Sequence, residues 1–204
     1  MTTNKLPRLM LAGRDKMPGI DIRPVTSDRW ADLEALFGPR GACGGCWCMY
    51  WRQTRAQYEK EKGAANRRAL KKLVTAGPPP GLIAYADGKP AGWCALAPRE
   101  EYSTLSRSRV LAPIDDARVW SIPCFYIARP FRRTGMTSQL LRAAAEYAAK
   151  KGARILEGYP VEPKKGSMPD VFAFTGLVGA FKRAGFTEAG RRSPTRPIMR
   201  HYLK

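Results

Sequence analysis

Residues 125 to 137, Phe-Tyr-Ile-Ala-Arg-Pro-Phe-Arg-Arg-Thr-Gly-Met-Thr, run a β-rich apolar stretch through a basic, glycine-containing turn directly into a strongly patterned helix. The first amides of a helix have no intrahelical partner and carry the positive end of its dipole. A turn that sets Gly135 and the Arg132/Arg133 pair at that point is laid out as a phosphate cradle, and a diphosphate is the ligand it suits. Arg132-x-x-Gly135-x-Thr137 is therefore read as the functional centre of the chain.

The remaining pattern supplies a frame for that centre. Residues 1 to 19 lack periodicity and are read as an extension compatible with disorder. A single domain is expected over 20 to 204. Asp21 to Val25 reads as a strand, followed by a helix after Ser27 with Trp30, Leu33 and Phe37 on one face and a stop at Gly38-Pro39. A helical region from Thr54 to about Ala76, broken near Gly63, ends at Gly77-Pro78-Pro79-Pro80. Leu82–Ala86 and Ala91–Ala97 flank Asp87-Gly88-Lys89-Pro90, a hairpin signal.

After a polar segment, Pro98 to Asp116, a strand is expected from Arg118 to Ile127, interrupted at Pro123, which has no N–H for the ladder. The helix after the cradle carries the stripe Leu140, Leu141, Ala144, Ala145, Ala148 and stops at Gly152. Then come a strand over 154–161, a loop, an apolar helix from about Val171 to Ala184, and strands over 186–191 and 197–203. Hairpin-linked strands followed by helix-linked ones make an α/β (α+β) chain with a mixed sheet.

Composition limits the function classes. The formal charge is +19, and such a field gathers anions: a nucleotide, an acidic protein or a nucleic acid. The 36 basic residues are dispersed rather than blocked, which disfavours nucleic acid and favours a basic surface with a local anion site. No apolar run is long enough to span a bilayer, so a soluble, cytoplasmic protein without a membrane partner is expected. Cysteines number five, and Cys94 and Cys124 sit in apolar strand-like runs, so no disulfide framework is expected. Cys43-Gly-Gly-Cys46-Trp47-Cys48 has the look of a metal knuckle but lacks a fourth ligand at a usual spacing, and no metal is expected. With His201 the lone histidine, a Ser/His/Asp or Cys/His unit is not anticipated.

This order of elements resembles the GNAT superfamily of acetyl-coenzyme A-dependent N-acetyltransferases from about residue 20 onward. Three segments carry the resemblance: Phe125 to Thr137, similar to the family's strand-turn-helix signature Arg/Gln-x-x-Gly-x-Gly/Ala; Phe181-Lys-Arg-Ala-Gly-Phe186, similar to its late helix and Gly-Phe exit; and the closing strand with Met199. The resemblance implies a mostly antiparallel central sheet flanked by helices, splayed between the strands 118–127 and 154–161. Acetyl-CoA would enter that splay, its pantetheine and thioester held by Phe125, Tyr126 and Ile127 and its diphosphate by Arg132, Arg133, Thr134, Gly135, Met136 and Thr137. The acceptor would be a primary amine of a small molecule or peptide; Trp47, Tyr50 and Trp51 are read equally as its wall or as core packing, with Glu100 as a further contact.

The departures bear on the chemistry. Thr137 stands where the family has Gly or Ala, Phe181 where many relatives have a tyrosine acid, and Ser121 where some have a glutamate. Direct attack of an amine on a thioester needs positioning, an oxyanion donor and a route for one proton. Glu157 is the first candidate base, read equally well as an ion-paired strand residue; Glu101 is an alternative base and Tyr159 a candidate acid, as is Tyr126. A basic polyanion-binding module and an acyl-CoA-binding sensor without turnover are the alternative functions, and a homodimer is compatible with the sequence.

Overall fold

The computed structural model describes residues 19–164 and 168–204. The N-terminal extension expected over 1–19 lies outside the described residues except for Gly19.

The first strand, β1 (Ile20–Pro24), leads through a 3₁₀ turn at Ser27–Arg29 into α1 (Trp30–Phe37). A looped stretch then reaches α2 (Arg55–Glu61) and α3 (Ala64–Ala76). Strands β2 (Gly81–Ala86) and β3 (Lys89–Ala95) form the expected hairpin. Asp87 and Gly88 both take positive φ, 47° and 77°, as a two-residue turn matching strand twist requires. Pro90 has no N–H to give the ladder, and the register shifts beside it.

The polar segment 98–116 is partly helical. It holds the two-residue β4 (Ala97–Pro98), a 3₁₀ turn at Arg99–Glu101 and α4 (Ser103–Arg107), whose Leu105 is fully buried. The strand expected over 118–127 is two strands, β5 (Trp120–Ile122) and β6 (Phe125–Ile127), divided at Pro123. After a 3₁₀ turn at Arg129–Phe131 come α5 (Met136–Lys150), β7 (Ile155–Gly158), α6 (Val178–Arg183), β8 (Thr187–Arg191) and β9 (Pro197–Tyr202).

The strands make two sheets: β1-β2-β3-β6, and β4-β5-β7-β9-β8. Every pairing is antiparallel except β5 with β7. Because side chains alternate across a strand, β3 feeds two cores. Trp93 and Ala95 pack with α1, α3 and the loop between α1 and α2; Cys94 packs with the stripe of α5 and with α6. The long apolar helix expected from 171 is broken: a 3₁₀ turn at Asp170–Ala173 gives way to extended chain before α6. Gly176 explains the break. Its φ is +85°, outside helical geometry, and a Cβ there would meet the Phe181 ring at 2.7 Å. Among the described residues, no helix is long and apolar enough to cross a membrane.

Candidate active site

The break at Pro123 opens the sheet. Upstream of it, Trp120 to Ile122 pair with Leu156 to Gly158 of β7. Downstream, Phe125 to Ile127 pair with β3 of the other sheet. The splay thus begins after Ile122 and lies between β6 and the chain that follows β7. Backbone groups of an antiparallel strand point alternately to either side. Toward β3, the Cys124 carbonyl accepts from the Ala95 amide at 2.9 Å and the Ala128 amide donates to the Ala91 carbonyl at 2.9 Å, with Tyr126 opposite Trp93 between them. The peptides of Phe125 and Ile127 consequently face the splay.

The turn after β6 is built from strained backbone. Arg133 and Gly135 have φ of 63° and 87°, and Gly135 caps α5 with no side chain bonded to the helix amides. A Cβ at Gly135 would meet nothing within 4 Å, so glycine is needed there for its conformation and for open approach rather than to relieve a clash. Thr134 donates its hydroxyl to the Phe131 carbonyl at 2.7 Å and so closes the turn. Arg132 spans two functions: Nε donates to the Ile127 carbonyl at 3.0 Å and Nη1 meets Asp170 Oδ2 at 2.9 Å.

A cleft of about 930 Å³ joins these parts, in the size range of ligand sites. One end is lined by Arg132, Arg133, Gly135, Met136 and Thr137, and its floor includes Phe125, Tyr126 and Ile127. Tyr50, Trp51, Tyr58 and Phe174 contribute an aromatic wall. Phe174 stacks on Trp51 (centroids 6.3 Å apart, planes at 30°) and meets Tyr50 edge-on at 6.0 Å, while Tyr58 meets Tyr50 at 5.3 Å. Cys43, Cys46, Cys48 and Cys124 also line the cleft. All five cysteines are free, and Cys48 Sγ lies 3.4 Å from Cys124 Sγ.

Several expected site residues lie elsewhere. Trp47 is buried against Trp30 and Phe37 and belongs to the core beside α1, not to the cleft wall. Glu100 is exposed, and Glu101 is held by Arg52 at 2.5 Å; neither lines the cleft. Glu157 is 1% exposed and engaged at both oxygens, by Arg99 Nη1 at 2.7 Å and Arg200 Nε at 2.8 Å. Tyr159 donates to the same carboxylate at 2.7 Å and contacts Ser121 Oγ at 2.7 Å, and burial pushes its phenol well above the ordinary range. Glu157 thus takes the ion-paired alternative, and neither it nor Tyr159 lines the cleft. Glu157 is the shared counter-charge of two buried arginines, and a buried phenol with a raised pKa is a poor acid. Glu157 and Tyr159, the latter just past β7, meet at Arg99 Nη1 rather than in the cleft.

Phe181 is fully buried, edge-on to Phe125 at 6.0 Å and 89°. A Cβ at Gly158 would overlap its ring at 2.1 Å. It fills the floor below β6 and has no proton to give. Asp170, Phe172, Phe174, Tyr58 and Arg183 also line the cleft and were not anticipated. The Thr175-Gly176 pair inside the supposed helix was the available signal that this stretch could turn inward.

The model of the acetyltransferase (GNAT) family matches residues 46–165, more than half of the sequence, and the chain belongs to that family. No curated protein sequence matches it. Solved structures agree in fold. A GNAT-family acetyltransferase from Streptococcus pneumoniae superposes with a TM-score of 0.53 at 17% identity, covering 91% of this chain and all of that one. One from Streptococcus agalactiae gives 0.54 at 14% identity over 93% and 98% of the two chains. The protein yncA from Salmonella typhimurium, solved with its cofactor acetyl-CoA, gives 0.50 at 12% identity over 91% and 94%.

Proposed function

We propose that the chain transfers the acetyl group of acetyl-CoA to a primary amine by direct attack in a ternary complex, with residues 20–204 acting as one catalytic unit. One observation carries this reading. An uncapped helix start flanked by Arg132 and Arg133 opens into the same cleft as the splay-facing Phe125 and Ile127 peptides. The first feature suits a diphosphate and the second an extended arm that pairs like a strand. The likeness to a protein that holds acetyl-CoA supports the same co-substrate here.

In this reading the amides opening α5, with Arg133, hold the diphosphate, Ile127 orients the pantetheine, and the Phe125 N–H donates to the thioester oxygen as charge develops there. The amine lone pair attacks the carbonyl carbon, the C–S bond breaks, and an amide and CoA thiolate result. Among the described residues lining the cleft the sole carboxylate is Asp170, which Arg132 engages. The ammonium proton therefore leaves through water, and the thiolate is protonated from solvent.

The wall of Tyr50, Trp51 and Tyr58 suits an amine carried on an aromatic or apolar body, in a small molecule or a peptide. Arg132, Arg133 and Arg183 outnumber the one lining carboxylate, which disfavours a polycation. An amine panel with acetyl-CoA, followed by free thiol release, tests both statements. Aromatic monoamines should exceed polyamines in kcat/KM, and the reverse order would remove the acceptor assignment. A sensor without turnover is the second reading, favoured by the sequestered Glu157 and the buried Phe181. CoA binding without thiol release on any amine would select it.

A further inference from the structure

We propose that Asp170–Leu177 is a strap that copies the co-substrate's contacts and holds the cleft closed until acetyl-CoA displaces it; the inference rests on the acetyl-CoA reading above. Phe125 has one amide facing the splay, and it donates to the Phe174 carbonyl at 2.6 Å. A thioester oxygen would need that same donor. At the other end of the segment the Asp170 carboxylate sits on Arg132 Nη1 at 2.9 Å, an anion on the arginine of the phosphate turn. One stretch of chain thus occupies both a carbonyl site and an anion site of the cleft.

The rest of the segment completes the imitation. The Gly176 carbonyl accepts from the Val161 amide at 2.9 Å, the Val178 amide donates to the Val161 carbonyl at 3.2 Å, and Leu177 pairs in parallel with Val161. The strap is therefore bonded to β6 on one side and to the chain beyond β7 on the other, as a pantetheine arm inserted in the splay would be. The Phe174 ring, against Trp51 and Tyr50, fills the aromatic end where the acceptor would stack.

The strap is held lightly at its start and firmly at its end. Val171 and Phe172 are 54% and 58% exposed and the Asp170–Arg132 pair is partly solvated, whereas Thr175 is fully buried and accepts from Arg196 Nη1 at 3.0 Å, so opening begins at Asp170. Gly176, at positive φ, marks the point where the strap meets the fixed helix α6. A cofactor that binds only the open fraction of molecules shows an affinity weakened by that fraction, and loosening the strap restores it.

The test is calorimetry of the full chain with CoA, on wild type, Asp170→Asn and Phe174→Ala, together with hydrogen exchange of the Val161 and Val178 amides with and without CoA. Both substitutions should tighten CoA by about three- to tenfold, and CoA should speed exchange at both amides. Unchanged or weaker affinity in both variants, with exchange at Val161 and Val178 unaltered by bound CoA, would show a fixed wall and overturn the strap alone. Failure of all three proteins to bind CoA would overturn the strap together with the acetyltransferase reading.

Discussion

Arg99 grips Glu157 at 2.7 Å with both side chains almost wholly buried, and the pair ties β7 to the turn after β4. Arg99 also donates to the Leu111 carbonyl at 2.5 Å, and Arg200 reaches from Glu157 to Asp115 at 2.6 Å. The network pins four segments together beneath the splay.

Replacing Glu157 by Gln should leave the buried Arg99 guanidinium without its counter-charge, while Arg200 keeps Asp115. Removing one partner of a buried pair costs about 3–5 kcal/mol. Urea unfolding should show a loss of that order, while the pH–rate profile of the surviving enzyme keeps its shape. A variant of wild-type stability whose acidic limb is displaced or lost would return Glu157 to the role of base.

The Asp115 carboxyl is lowered from its ordinary 3.8 to about 2, chiefly by its hydrogen bonds from Arg200. A carboxyl depressed on folding adds stability above its unfolded pKa and loses it as pH falls through the folded one. This contribution is therefore full above about pH 4 and fades toward pH 2. Asp115→Asn should flatten the fall in Tm across that window, as followed by circular dichroism; parallel curves for the two proteins would contradict it.

Restoring a tyrosine at 181 should not restore an acid. The ring lies against Phe125, Phe186 and Gly158 with no exposure, so a hydroxyl would be buried without a ready partner. Phe181→Tyr should lose about 1–3 kcal/mol and gain nothing in kcat. A rise in kcat would show that position 181 reaches the leaving sulfur.

Thiol reactivity should follow burial. Cys43 is exposed, whereas Cys94 is fully enclosed and burial pushes its thiol to about 12. A thiol reagent should label Cys43 rapidly and Cys94 only on unfolding. Rapid labelling of Cys94 in the native protein, read by peptide mass, would mean that the face of β3 packed on α5 opens readily.

Local chemistry made most of this frame legible in the sequence. The α5 stripe, the Asp87-Gly88 turn, the Pro123 break and the glycine turn at 135 each act within a few residues, where backbone rules decide the outcome. The readings that stayed open lie where partners come from far along the chain. Glu157 reads alike as base or as ion pair until Arg99 and Arg200, distant in sequence, are seen on either side of it. Trp47 and Trp51 are near neighbours in one aromatic run, yet Trp30 draws the first into the core and Phe174 meets the second in the cleft. The inward turn at 170–177 was hidden because Val171 to Ala184 is largely apolar and holds two glycines, of which only Gly176 takes positive φ.

The account rests on a diphosphate held where α5 begins, and calorimetry of CoA against its pantetheine fragment, on wild type and Gly135→Asp, tests it most directly. The account predicts that wild type binds CoA at least about tenfold more tightly than the fragment, and that the aspartate, by placing negative charge at the helix start, erases the difference. Equal affinities in wild type, or a preference untouched by Gly135→Asp, would contradict it.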